Sequence, residues 1–97
     1  MRELSEKDLQ EVEQCGRVAF TYKEVAYHLQ VPQSEVRDQF LHEKGEIWER
    51  WIQGRMQVEL EIRQVVMSGA KNGSTPLLDK MLEFFKRTER EHRDIFG

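Results

Sequence analysis

Gln33, Ser34 and Arg37 follow Pro32 at the spacing of one helical face, and their side chains are the best suited in this chain to read the edge of a base pair. Arginine offers two parallel donors that match guanine, and glutamine offers a donor and an acceptor that match adenine. Both pairings require the first turn of a helix to enter the major groove, which makes Arg37 the strongest expected contact. Tyr22 and Lys23, ahead of this segment, and Lys44, beyond it, carry groups suited to phosphate oxygens. The competing reading of each residue is a solvated surface side chain.

Other chemistries lack their parts. His28, His42 and His92 lie in separate segments, none four residues from another as a helical metal site needs, and His42-Glu43 has no second histidine to complete a zinc pattern. Cys15 is the single cysteine: it has no disulfide partner and no evident histidine to activate it, so it is expected to be a small buried residue in a reducing compartment. In GAKNGST, Gly73 stands where a phosphate loop needs its lysine, and Glu59 and Glu61 point to different faces of a helix. No enzyme activity, metal or cofactor is expected.

The candidate readers need a scaffold, and TYKEVAYHLQVPQSEVRDQF, residues 21–40, supplies one. Thr21 with Glu24 makes a capping box, Val25, Ala26 and Leu29 share one face, and Phe20 is placed as a hydrophobic staple against Val25. Val31 is expected as a buried turn residue, Pro32 stops continuation, and Ser34 is expected to cap a second helix held by Val36 and Phe40. The pattern is a helix-turn-helix. Its turn puts Gln30 where such motifs favour glycine, so a left-handed backbone there carries strain.

Before this unit, Ser5 and Asp8 cap a short helix with Leu9, Val12 and Cys15 on one side, ended by Gly16, and with Glu3, Glu6, Glu11 and Glu13 on a solvated face. Val18 and Phe20 are expected to pack under the central motif. After Gly45, the longest helical pattern carries Ile47, Trp51, Gly54, Val58, Ile62 and Val65 as a seam, with Trp48, Ile52, Met56 and Val66 beside it. GAKNGSTP turns the chain into a last helix bearing Leu77, Leu78, Met81, Leu82, Phe84 and Phe85, which folds back antiparallel. Residues 86–94, KRTEREHRD, alternate in sign and read as a solvated end.

The expected fold is all-α: a helix-turn-helix region over residues 1–45, then a long antiparallel hairpin over 46–97 used for oligomerisation. Ile47, Trp48, Trp51, Ile52, Val58, Ile62, Val65, Phe84 and Phe85 are the expected interface, because this apolar surface exceeds what 97 residues need. The formal charge is −3; residues 1–16 hold five acids against two bases, while 17–45 hold four of each, so the reader itself is neutral. A neutral reader binds phosphates weakly on its own, which makes several copies on one duplex the expected mode. No apolar run approaches the roughly 18 residues of a membrane span and the first residues lack a signal-peptide core, so a cytoplasmic protein is expected.

The order of these parts resembles the small terminase subunit of tailed bacteriophages. The resemblance rests on TYKEVAYHLQVPQSEV, on WERWIQGRMQVELEIRQVVMSGA and on AKNGSTPLLDKMLEFF, spanning roughly residues 18–86. It implies a ring-forming subunit that recognises viral double-stranded DNA in the host cytoplasm and regulates a large motor subunit. Lys23, Gln33, Ser34 and Arg37 are the DNA-facing positions it implies. Two alternatives stand beside it: a dimeric helix-turn-helix transcriptional regulator, and a helical protein-binding adaptor in which the central motif is only a packing hairpin.

Overall fold

A computed structural model describes residues 2–96, with side chains described as far as Arg93. Five helices follow one another: α1 (Glu6–Arg17), α2 (Tyr22–Leu29), α3 (Gln33–His42), α4 (Glu46–Lys71) and α5 (Thr75–Phe96). No strand occurs among the described residues, so the fold is all-α. The chain divides into two compact units, Met1–Glu59 and Leu60–Gly97.

Local chemistry starts the first two helices. The Ser5 hydroxyl accepts from the Asp8 N–H at 3.1 Å and the Asp8 carboxylate accepts from the Ser5 N–H at 3.0 Å. Thr21 and Glu24 repeat the same reciprocal pair at 3.3 and 3.0 Å. Arg2 donates to Asp8 at 2.7 Å and to the Leu29 carbonyl at 2.8 Å, so one side chain joins the entry of α1 to the exit of α2. That guanidinium, with the Ser5 N–H, holds the Asp8 carboxyl down to about 2.

Four helix ends share one device, a residue in the left-handed region followed by a hydrogen bond back into the last turn. Ala19 has φ 59°, Gln30 φ 58° and Glu43 φ 52°, and only α4 ends with a glycine there, Gly73 at φ 93°. The returning donors are Phe20 to Cys15, Val31 to Ala26, Lys44 to Gln39 and Ser74 to Gly69, at 2.9 to 3.1 Å. A side chain in this conformation costs about 1–2 kcal/mol, so the strain expected at Gln30 recurs at Ala19 and Glu43. Gln30 is exposed. Gln30→Gly should therefore raise unfolding stability by about 0.5–1 kcal/mol in urea titration, the glycine's greater unfolded-state freedom offsetting part of the relief. A loss of stability would mean that the glutamine side chain itself holds the turn.

The core of the first unit gathers Val12, Cys15, Val25, Ala26, Leu29, Val31, Val36 and Ile47, with Leu4, Phe20, Tyr22, Phe40 and Trp51 packed against it. The first half of α4 completes this core. Trp51 donates its indole N–H to the Phe20 carbonyl at 2.9 Å and lies 5.0 Å from the Phe40 ring. The compact unit consequently continues to Glu59, past the 45/46 boundary expected from Gly45.

Three local expectations are corrected. Gly16 does not end α1; it lies inside the helix and is buried against α4, where an added Cβ would collide with the Trp51 carbonyl oxygen. Val18 is 64% exposed instead of packed beneath the motif, because it is the last residue before the left-handed turn at Ala19. Ser34 does not cap α3: Pro32 holds the cap position with no side-chain hydrogen bond, and Ser34 is the second helical residue.

In the second unit, Gly69 of α4 lies against the Leu77 side chain of α5, and the Arg63 guanidinium sits 4.9 Å over the Phe84 ring. These pairs run in opposite order along the two helices, which are therefore antiparallel. Pro76 stands in the first turn of α5, where its missing N–H leaves no bond unmade. Val66 and Ala70 are buried, whereas Leu60, Ile62, Val65, Leu78, Leu82 and Phe85 are exposed.

Candidate nucleic-acid interface

Helix α3 is amphipathic in a way that fixes which side faces out. Val36 is fully buried and Phe40 packs on the core, while Gln33 in the first turn and Ser34, Arg37 and Leu41 on the other side are exposed. Lys23 is exposed in the first turn of α2, and Lys44 is exposed just past the turn at Glu43. Tyr22 differs from the other five candidates: it is half-buried and packed against the core, which leaves it less surface for a ligand.

Among the described residues nothing pairs with the Arg37, Lys23 or Lys44 side chains, so Arg37 on α3, Lys23 on α2 and Lys44 past the end of α3 keep open donors. Glu35 and Asp38 lie exposed on the same helix, and the Asp38 carboxylate is 3.4 Å from His42. The surface is thus close to neutral, in keeping with the charge count along the chain.

The residue that aims α3 is Gln39. Its Oε1 accepts from the backbone N–H of Ile47 at 2.9 Å and of Trp48 at 3.2 Å, capping α4 in place of Gly45, which has no side chain to do so. Gly45 itself adopts φ 103°, and a Cβ there would clash with the Gln39 side chain. Sequence spacing does not reveal this cap, because the capping residue lies on the previous helix and not beside the end it caps.

The acidic face of α1 is also less open than its sequence implies. Arg50 of α4 donates to both Glu6 oxygens at 2.6 and 3.3 Å and lies 3.6 Å from Glu13, while Glu11 lies 3.6 Å from His28. The Arg50 hydrogen bond lowers the Glu6 carboxyl below its usual range. Cys15 is buried, and burial followed by the nearby Glu11 charge pushes its thiol up, away from the reactive thiolate.

The residues expected at an oligomer interface divide into two groups. Ile47 is fully enclosed within the first unit and Trp51 is bonded there, so both serve the fold of a single chain. Trp48, Ile52 and Val58 are half-buried, as is Phe84 beneath Arg63, while Ile62, Val65 and Phe85 are 45%, 68% and 49% exposed. Among the described residues no cluster of three or more metal-ligating side chains forms, and no helix is long and apolar enough to cross a membrane. Compared with protein-family models, curated proteins and solved structures, the chain matches none.

Proposed function

We propose that this chain is a DNA-recognition and assembly protein in which α2 and α3 form a helix-turn-helix, α3 enters the major groove, and copies associate through the antiparallel helices α4 and α5. One observation carries the reading: α3 is anchored by Val36 and Phe40 while Gln33, Ser34 and Arg37 stand exposed and, in the case of Arg37, without a partner among the described residues. A reader needs that combination of a fixed helix and free donors.

Self-association follows from the reader's near-neutral charge, since a single copy makes too few phosphate contacts for useful affinity. Ile62, Val65 and Phe85 supply apolar surface for it. The resemblance to small terminase subunits makes viral genome packaging the process proposed, with duplex DNA and a large motor subunit as partners.

Arg37→Ala should weaken binding to the preferred duplex by about 1–3 kcal/mol and relax preference at one base position, measured by fluorescence anisotropy against a panel of single-base variants. Unchanged affinity and preference would remove α3 as reader and favour a protein-binding adaptor. Native mass spectrometry on the same protein separates a ring of many copies from a dimer, and a dimer on a short palindrome would favour a transcriptional regulator.

A further inference from the structure

The cations of α5 are not all alike. Lys80 pairs with Glu83 at 3.3 Å and Arg87 with Glu91 at 3.7 Å, so two of them are answered within the helix. Lys86, Arg90 and Arg93, spaced by four and three, share a different face, are exposed, and have no ion-pair partner among the described residues. Together with Glu89 they line a shallow groove of about 380 Å³. This is the densest group of unanswered positive charge among the described residues, in a chain whose formal net charge is −3. Among the described residues this stripe keeps its cations unneutralised in an acidic chain, which suits it to an anion from outside the chain.

The four acids of α1 already have partners: Glu6 and Glu13 face Arg50, Asp8 faces Arg2 and Glu11 faces His28. The spacing favours a nucleic-acid backbone. From Lys86 to Arg93 the helix rises about 10 Å at roughly 1.5 Å per residue, close to three axial steps of about 3.4 Å, so the stripe runs the length of about four successive phosphates on one strand of a duplex. We propose that Lys86, Arg90 and Arg93 form a second, sequence-independent contact to the phosphate backbone of double-stranded DNA. The proposal rests on the DNA-binding reading above and extends it: α3 supplies sequence preference with little charge, and the end of α5 supplies charge with no preference.

The test is the salt dependence of duplex binding by the full chain. Each neutralised phosphate contributes about 0.9 to the slope of log affinity against log salt, so K86Q/R90Q/R93Q should lower that slope by about 2.7. Equivalently, between 50 and 200 mM salt the parent should lose about 40-fold more affinity than the variant. The decrease should be the same for every duplex sequence, and the charge-keeping K86R/R90K/R93K should retain the parental slope even if the helix is perturbed. An unchanged slope in the glutamine variant overturns the proposal while leaving α3 as reader intact. If sequence preference is lost instead, or if polyglutamate and not duplex is held through these three cations, the proposal also fails, the latter making the partner an acidic polypeptide. A parent chain that binds no duplex at all overturns both readings together.

Discussion

Replacing Gly54 by alanine should remove at least about a third of the stability of the Met1–Glu59 unit, although alanine is the better helix former by about 1 kcal/mol. The reason is a reciprocal contact between two backbones. A Cβ on Gly54 would collide with the Glu13 carbonyl oxygen, and a Cβ on Gly16 would collide with the Trp51 carbonyl oxygen and meet the Arg55 nitrogen at 3.0 Å. Neither obstacle is a flexible side chain that can swing aside. Relief requires α1 and α4 to separate, which would open the core between Val12 and Ile47 and draw the Trp51 indole away from the Phe20 carbonyl. Overpacking costs typically about 1–3 kcal/mol where side chains yield, so a backbone clash should cost about 3 kcal/mol or more. A unit of this size holds roughly 3–9 kcal/mol in total. Both tryptophans lie in this unit, so intrinsic fluorescence in urea reports its unfolding directly. A midpoint equal to or above the parent's would mean that the two helices do not touch in solution.

These glycines also show where sequence reading stops. Ser5 with Asp8, and Thr21 with Glu24, were legible because a capping box acts within three residues and needs nothing else. The turn at Gln30 was legible for the same reason, and so was the division of α3 into Val36 and Phe40 beneath and Gln33, Ser34 and Arg37 above. Gly16 reads locally as a helix stop, yet its meaning depends on α4 arriving against it, and no neighbouring residue announces that approach. Gln39 capping α4 and Arg50 answering Glu6 are likewise agreements between segments distant in sequence. Ala19 and Glu43 adopt left-handed backbone without the glycine that would have signalled it. The outward face of the candidate site was therefore readable from one helix, whereas the contacts that aim it were not.

The same distinction decides what Ile47 does. Its place in a wide apolar helix face suits an interface between copies, but it is fully enclosed with Val12, Val25 and Val36 and lies at the point where Gln39 ties α3 to α4. Ile47→Ala should accordingly cost about 2–5 kcal/mol of unfolding stability, the range for truncating an enclosed aliphatic side chain. It should leave association of the folded chain unchanged. Val65→Asp is the converse change: Val65 is 68% exposed, so a charge there should cost little stability in a single copy and should lower self-association in sedimentation equilibrium. If Ile47→Ala lowers the proposed self-association at concentrations where the chain remains folded, the first half of α4 belongs to that interface after all. If the two effects separate as expected, α4 has two jobs along its length: residues 46–59 build the platform that holds α3, and residues 60–71 offer the surface through which copies of that platform are multiplied.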